Sequence, residues 1–374
     1  MEEEGGVIIV FKPVYISSVN CVTPLGMDLD SNWSALMRSE SAIRTVDIGM
    51  LKSVPVARFA DPLALMKDLS LSFLENLSLQ VVVPLLKDKT ITERTGFVLS
   101  TTKGNIDKLR STSAQEAQLG RMGEVLADRF GFTAKPIVVS HACVSGLLAV
   151  SVAKRLIQMG QYDEVLVLAA DQVSEFVLSG FQSFQAMSSG PCRPFDVERD
   201  GVTLGEAVAA AWVTGQRAGS LVQVLGEGAI NDANHISGPS RTGEGLVRSV
   251  AAAFKEADIT GDRIDFISAH GTATLYNDEM EAIAFDRIGL SGVPTHSLKG
   301  YYGHTLGASG LLELVISIKS MYENRLVATK GFANLGTSKY LHVIQDTASA
   351  ALNCCLKTAS GFGGSNTAMI IKKV

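Results

Sequence analysis

The sequence predicts an α/β fold built from repeated strand–helix–strand units. Residues 135–140 and 164–170 are β-branched or apolar runs typical of strands, and residues 144–159 between them have a helical pattern that ends at Gly160. The apolar stretches within both runs are typical of a sheet buried on two faces. The chain therefore contains at least one strand–helix–strand unit.

A second copy of this pattern lies in the C-terminal part of the chain. Residues 293–299 are strand-like, 306–323 are helical and 325–329 are strand-like again. The tetrapeptide Ser-Gly-Leu-Leu opens both helices, at 145–148 and at 309–312. The repeated order and the shared tetrapeptide predict an internally duplicated fold.

Composition excludes several classes of protein. The chain has 374 residues, of which 46% are hydrophobic and 19% are charged, so it can bury one large core or two packed halves. Its net charge of −5 argues against a general nucleic-acid binder, although a local basic patch could still dock an acidic partner.

Targeting and redox signals are weak. The first residues are acidic and precede only five apolar ones, 7–11, so we expect no secretory signal, no membrane span and a cytoplasmic location. Five cysteines stand at positions 21, 143, 192, 354 and 355 and form no Cys-x-x-Cys pair. Free thiols are therefore expected instead of disulfides or a zinc ribbon.

Cys143 lies where the strand of 135–140 meets the helix of 144–159. The helix dipole and unpaired N–H groups at such a junction stabilise a thiolate, which predicts a lowered thiol pKa and a nucleophile. Two alternatives stay open from this stretch alone. A lone cysteine is more often a buried structural residue, and His141 lies on the same side of the strand as a possible metal co-ligand.

Three further motifs carry candidate chemistry. His270 follows a strand-like lead in HGTAT, Lys299 and His304 lie five residues apart in KGYYGH, and GFGGSN precedes the apolar run that ends the chain. Each has a plain structural explanation when it is considered alone. The glycine-rich turn lacks the Gly-Lys-Ser/Thr ending and the following helix of a phosphate loop, so phosphate binding is weakly supported.

Taken together, HACVSG, HGTAT, KGYYGH and GFGGSN resemble the motifs of the elongating β-ketoacyl-acyl carrier protein synthases of the thiolase superfamily. RPFDVERDGVTLGEA at 193–207 is a further match, and the resemblance extends from about residue 15 to the C-terminus. It implies a duplicated five-layer α-β-α-β-α fold, with the cysteine in an N-terminal half (1–218) and two histidines in a C-terminal half (219–374).

The resemblance also implies a decarboxylative condensation. Cys143 would accept an acyl chain from acyl carrier protein, with the backbone N–H groups of Cys143 and Phe362 forming the oxyanion hole. His270 and His304 would stabilise the enolate left when malonyl-carrier protein loses CO₂, and Phe362 would also act as a gate. The mechanism implies no metal, nucleotide or flavin cofactor, because pantetheine arrives on the carrier protein.

The resemblance assigns two more sets of residues. Lys299 belongs with the catalytic residues, the supporting set is Glu313, Asp278 and Glu281, and the pantetheine-binding set is Thr272, Thr274 and Ser237. Glu313 lies in an apolar helix and needs a partner, for which Lys299 is the candidate. An ordinary solvated helix face remains an alternative for Asp278 and Glu281.

Departures from the family pattern leave substrate length and partner open. His141 stands where many members have a small or hydroxyl residue, the segment 60–135 is short, and 205–207 reads GEA instead of GEG. The implied partners are acyl carrier protein and a second chain, as a homodimer or as a heterodimer with a related chain-length subunit. Arg193 is a candidate for the basic docking patch. The competing functions are a coenzyme A-dependent thiolase and a subunit with limited activity alone.

Overall fold

The computed structural model describes residues 12–111, 114–232 and 238–374. The strands are β1 Val14–Val22, β2 Ile43–Ile48, β3 Leu51–Ala57, β4 Thr95–Ser100, β5 Ile137–Val139, β6 Glu164–Asp171, β7 Leu204–Gly205, β8 Ala207–Thr214, β9 Val222–Asn231, β10 Phe266–Ser268, β11 Thr295–His296, β12 Arg325–Leu326, β13 Ala348–Ser349, β14 Cys354–Gly361 and β15 Ser365–Lys373. The helices are α1 Leu29–Met37, α2 Phe73–Leu86, α3 Lys108–Ser111, α4 Leu119–Phe130, α5 Ser145–Gln158, α6 Glu175–Ser183, α7 Glu244–Ala257, α8 Leu275–Arg287, α9 Lys299–Tyr302 and α10 Ser309–Glu323. Across these ranges, none of the helices is long and apolar enough to cross a membrane.

The main sheet consists of two copies of one five-strand pattern. Its order is β11-β10-β14-β15-β9-β1-β8-β6-β4-β5. In the N-terminal copy, β4 is parallel to β5 and β6, and β8 is antiparallel to β6 and β1. In the C-terminal copy, β10 is parallel to β11 and β14, and β15 is antiparallel to β14 and β9. The strands follow the chain in the same sequence in both copies, which confirms the predicted duplication.

Helices cover both faces of each half-sheet. The central apolar cluster combines α5 and α10 with one face of each half, including Val167 of β6 and Ala359 of β14. A second cluster joins α2 and α4 to the other face of the N-terminal half, and a third joins α7 and α8 to the other face of the C-terminal half. The resulting order of layers is helix, sheet, helix, sheet, helix, as the resemblance implied.

The repeated Ser-Gly-Leu-Leu forms the crossing of the two central helices. A Cβ atom on Gly146 would lie 2.7 Å from the backbone nitrogen of Leu311, and one on Gly310 would lie 2.7 Å from that of Leu147. These contacts are reciprocal, so each glycine lets the other helix approach at backbone distance. The tetrapeptide is therefore repeated because both helices use it at the same crossing.

The predicted second strand–helix–strand unit is only partly correct. The strand expected at 293–299 is limited to β11, and Lys299 begins the short helix α9. The run expected at 325–329 forms only β12, which pairs with β13 outside the main sheet. The strand that completes the unit is β14, which follows α10 only after a loop containing β13. The predicted boundary at 218/219 lies in the connection between β8 and β9.

Candidate active site

Cys143 lies in the tight turn between β5 and α5. Ala142 has a left-handed φ of 47°, and the Ser145 hydroxyl accepts a hydrogen bond from the His141 N–H at 2.7 Å and donates one to the Ala142 carbonyl at 2.6 Å. These bonds close the turn and hold the cysteine just before the helix. No side chain of the described residues caps α5, so its N-terminal N–H groups face the turn without a competing cap.

Burial is the main influence on the pKa of the Cys143 thiol. It raises the pKa of Cys143 to about 11, and the positive charge of Lys299 and the backbone N–H of Phe362 offset the effect only in part. The prediction of a lowered thiol pKa is therefore wrong for the free protein, because removal from water outweighs the favourable field. Cys143 is a neutral thiol at pH 7 and must lose its proton as it reacts.

A cavity of about 530 Å³ brings the predicted catalytic side chains together. Cys143, His270, His304 and Phe362 all line it. The Cys143 Sγ and one ring nitrogen of each histidine lie within 4.8 Å of one another, and the two imidazole rings meet edge to face with centroids 5.2 Å apart. The cysteine comes from the N-terminal half and the histidines from the C-terminal half, as the resemblance implied.

His304 presents an N–H to this cavity. Its Nδ1 accepts the Leu306 N–H at 3.3 Å, so the ring proton of the neutral form is on Nε2. Nε2 is buried and has no hydrogen-bond partner within the described part of the chain. Burial, with a smaller contribution from Lys299, lowers the pKa of His304 to about 3. The imidazole is therefore neutral over the physiological range.

His270 is held in the same tautomer by Lys299. The Lys299 ammonium lies 3.3 Å from His270 Nδ1 and also donates to the His270 carbonyl oxygen. Because an ammonium only donates, Nδ1 is the acceptor and Nε2 carries the proton. Burial, Lys299 and the neighbouring His304 keep the pKa of His270 well below its ordinary value. Two neutral imidazoles therefore meet beside the thiol.

Glu313 is the predicted partner of Lys299, and the structure places them together. The Lys299 Nζ lies 2.8 Å from Glu313 Oε1, and the Ser309 hydroxyl donates to the same oxygen at 3.0 Å. Burial acts to raise the pKa of Glu313, but the charges of Lys299 and Lys357 outweigh it and lower the pKa to about 2. The carboxylate is ionised although it lies in an apolar helix.

Asp278 and Glu281 are buried, so the solvated-face alternative is wrong for both. Glu281 accepts the N–H groups of His270 and Gly271 at 2.8 and 2.6 Å. Asp278 accepts the N–H of Thr272 at 2.9 Å, and burial raises its pKa to about 7. Both carboxylates on α8 therefore bind backbone N–H groups of the His270 loop and do not line the cavity themselves.

Two of the three predicted pantetheine-binding residues lie at the cavity wall. Thr272 and Thr274 line the cavity, and their hydroxyl groups are 2.9 Å apart. The predicted contribution of Ser237 lies outside the described residues.

Phe362 stacks on Phe181 of α6 with ring centroids 5.6 Å apart. Phe181 was not predicted, because nothing in its local sequence separates it from a core aromatic.

His141 does not line the cavity. Its Nε2 lies 2.6 Å from the hydroxyl of Ser365, in the GFGGSN motif at the start of β15. The possible metal co-ligation with Cys143 is not supported, because the cluster of potential ligands around Cys143 in the described residues is completed by His270 and His304. His141 instead ties the cysteine turn to the other half of the fold.

Among the charged residues that sequence reasoning missed, two are buried close to the site residues. Lys357 in β14 lies beside Glu313, with its Nζ 2.7 Å from Oε2. Asp171 at the end of β6 accepts N–H groups from Thr102 and from Gly307, the latter at 2.7 Å, and burial raises its pKa. A charged residue inside or at the end of an apolar strand is a signal for both, since such a group needs buried partners.

Comparison with known proteins assigns the chain to one family. The profile described as "Beta-ketoacyl synthase, N-terminal domain" matches residues 11–217, and the profile described as "Beta-ketoacyl synthase, C-terminal domain" matches residues 221–333. The putative mitochondrial 3-oxoacyl-[acyl-carrier-protein] synthase of Schizosaccharomyces pombe is 24% identical over 97% of this chain and 99% of the relative. The 3-oxoacyl-[acyl-carrier-protein] synthase 2 of Rhizobium meliloti is 30% identical over 63% of this chain and 60% of the relative.

Solved structures agree on the fold. The ishigamide ketosynthase/chain length factor superposes with a TM-score of 0.88 at 22% identity, covering 98% of this chain and 100% of that one. A ketosynthase from Xenorhabdus doucetiae, solved in complex with its chain length factor, superposes with a TM-score of 0.85 at 24% identity. The superposition covers 97% of this chain and 98% of that one. With the profile matches and the Cys143–His270–His304 site, these similarities show that the chain belongs to the β-ketoacyl synthase family and has the thiolase-like fold.

Proposed function

We propose that the protein is a 3-oxoacyl-[acyl-carrier-protein] synthase that carries out decarboxylative condensation. The observation that carries this proposal is the convergence of one thiol with two neutral imidazoles, each with its proton on Nε2. In the first half-reaction, Cys143 Sγ attacks the thioester carbonyl of an acyl-carrier protein. The new C–S bond replaces the bond to pantetheine, whose sulfur takes up the proton that the thiol gives up. The N–H groups of Cys143 and Phe362 stabilise the oxyanion.

The second half-reaction uses the histidines. When malonyl-carrier protein loses CO₂, the electron pair of the broken C–C bond passes into the thioester carbonyl as an enolate. The Nε2–H groups of His270 and His304 donate to that oxygen, and two such donors in a buried site contribute about 3 kcal/mol each. The enolate carbon then attacks the acyl-cysteine, a C–C bond forms as the C–S bond breaks, and the departing Cys143 thiolate takes up a proton from water to return to the thiol.

We propose that this chemistry needs no metal or other cofactor. A metal on the histidines would require an unprotonated Nε2, whereas both Nδ1 atoms accept hydrogen bonds and so place the ring proton on Nε2. The same tautomers suit hydrogen-bond donation to an enolate. Addition of a chelator should therefore leave the condensation rate unchanged.

We propose acyl carrier protein and a second ketosynthase-type chain as partners. The solved relatives include a ketosynthase with its chain length factor and a polyketide ketosynthase with its acyl-carrier protein. In this chain, β5 lies at one edge of the main sheet, where the described residues leave its outer side open to another strand. Arg193 remains our candidate for the docking patch; its side chain is about half exposed and forms an ion pair with Glu198. The halves 1–218 and 219–374 remain our proposed division.

A condensation assay tests the proposal. Purified protein is mixed with acyl-carrier protein and malonyl-carrier protein, and the β-ketoacyl product is measured by mass spectrometry. We expect the wild type to form product, Cys143→Ala to form none, and Cys21→Ala, which removes another fully buried thiol, to remain active. Turnover of coenzyme A esters without carrier protein would favour the thiolase alternative. Absence of an acyl adduct on Cys143 would favour a subunit with limited activity alone.

A further inference from the structure

Lys357 is a fully buried lysine in β14, at the centre of the C-terminal half-sheet. Its three ammonium hydrogens have three carbonyl acceptors, on Ser268 at 3.0 Å, Ala269 at 3.2 Å and Thr358 at 2.6 Å. Burying an ammonium group is costly unless it is fully paired, so this position is a demanding one for a lysine. The pairing is complete, and it involves the segment that leads into the active site.

The same ammonium group faces the Glu313 carboxylate. Lys357 Nζ lies 2.7 Å from Glu313 Oε2, and Lys299 Nζ lies 2.8 Å from Oε1. One carboxylate is thus shared by two lysines, and the three-residue cluster has a net charge of +1 when both lysines are protonated. Burial lowers the pKa of Lys357, and the Glu313 charge opposes that effect. A pair of Lys299 and Glu313 alone would be neutral. Lys357 therefore changes the charge of the cluster as well as its geometry.

The hydrogen bonds and the charge of Lys357 both act on the two active-site histidines. Ser268 and Ala269 immediately precede His270, and their carbonyl groups are bound by Lys357, while the carbonyl group of His270 is bound by Lys299. Three consecutive carbonyl groups are therefore fixed by two lysines. Burial and Lys299 lower the pKa of both His270 and His304, and Lys357 makes a smaller contribution in the same direction, which Glu313 opposes at His304. Both rings need an unprotonated Nδ1 to keep their present hydrogen bonds.

We propose that Lys357 is a positioning residue for the decarboxylation step: it fixes the backbone before His270 and places a second ammonium group on the carboxylate that holds Lys299. This inference rests on the proposed condensation. The charged and titratable groups around the two rings come from five elements or turns, namely Cys143 before α5, Glu281 of α8, Lys299 of α9, Glu313 of α10 and Lys357 of β14.

The test separates the two half-reactions in Lys357→Gln. This variant keeps an N–H donor and removes the charge. CO₂ release from malonyl-carrier protein should fall at least about tenfold, because displacing a catalytic group by about 1 Å can lower a rate by about 10²-fold. The acid limb of the pH–rate profile for CO₂ release should move to higher pH, because losing a positive charge raises the pKa of the histidines. Acyl transfer to Cys143 should remain within about twofold of the wild-type rate, since it does not use the two imidazoles as oxyanion donors.

Two controls complete the experiment. Lys154→Gln removes another buried lysine, in α5, which is paired with Glu256 of α7, and should leave both half-reactions and the acid limb unchanged. Lys357→Arg keeps the charge and should keep the wild-type acid limb. If Lys357→Gln does not fold, Lys357→Arg carries the test, and a displaced limb in that variant overturns the proposal.

Other outcomes are equally decisive. An equal loss of acyl transfer and decarboxylation in folded Lys357→Gln, with an unmoved acid limb, would reduce Lys357 to a structural role and overturn the inference. A wild type that forms no acyl adduct and releases no CO₂ would instead contradict the proposed function. The wild-type reaction therefore distinguishes the two failures.

Discussion

Replacing Glu313 with glutamine would leave two buried ammonium groups without a counter-charge. The carboxylate lies between Lys299 and Lys357, 2.8 and 2.7 Å away, and its pKa falls from 4.5 to about 2 on folding. That change corresponds to roughly 3 kcal/mol of favourable interaction in the ionised form. We therefore expect Glu313→Gln to lower the free energy of unfolding by about 3 kcal/mol at pH 7.

The pH dependence provides a second check on this value. Because the pKa is lower in the folded protein, the contribution is fully present above pH 4.5 and is lost as the pH falls towards 2. Urea denaturation of wild type and variant at a series of pH values measures the difference directly. The deficit of Glu313→Gln should be constant from pH 7 to about 5 and shrink below pH 4.5.

A matched control is Glu227→Gln. Glu227 is also buried, but its ion-pair partner Arg155 is 60% exposed. An exposed partner is screened by water, so we expect a loss of at most about 1 kcal/mol from this pair. If Glu313→Gln is as stable as the wild type at pH 7, or if its deficit persists unchanged to pH 3, the account of the two-lysine cluster is wrong.

Further predictions concern the helix crossing and the buried histidine. Gly146→Ala places a Cβ 2.7 Å from the Leu311 nitrogen, so we expect a loss of about 1–3 kcal/mol in unfolding free energy and reduced condensation. Gly180→Ala, where no atom lies within 4 Å of the new Cβ, should be neutral or stabilising by about 0.5–1 kcal/mol, and equal effects of the two changes would contradict the crossing. For His304, the folded pKa of about 3 lies below the ordinary 6.5, so stability is lost as the pH falls through this range. Relative to His304→Gln, the wild type should lose about 1.4 kcal/mol per pH unit below pH 6.5, and parallel curves would contradict a neutral His304.

The sequence allowed the reacting groups to be predicted because they lie in short motifs. Cys143, His270, His304 and Lys299 each lie beside glycines or small residues in a recognisable order, and the structure places all four in one site. The duplicated sheet was also predictable, because its two central helices share a tetrapeptide that both need at their crossing.

Properties that depend on tertiary packing were not predictable in this way. The helix N-terminus beside Cys143 suggested a thiolate, but the extent of burial decides the thiol pKa, and burial is set by both halves of the fold. Lys357 binds Ser268 and Glu313, which lie 89 and 44 residues away in the chain, so no local pattern reveals its role. The strand at 325–329 was overestimated because apolar β-branched residues occur in loops that pack on a core as well as in strands.

The central claim is that the thiol carries the acyl chain and the two histidines promote decarboxylation. Its most direct test is CO₂ release from malonyl-carrier protein by Cys143→Ala. The two imidazoles are held by Lys299 and Leu306 and not by the thiol, so removing Sγ should leave their Nε2–H groups in place. We predict that Cys143→Ala forms no condensation product but still releases CO₂, and that the additional change His304→Ala lowers this release by about 10²–10³-fold, as for loss of one oxyanion donor. If Cys143→Ala releases no CO₂, or if the double variant releases it as fast as Cys143→Ala, the assignment of decarboxylation to the histidine pair is contradicted.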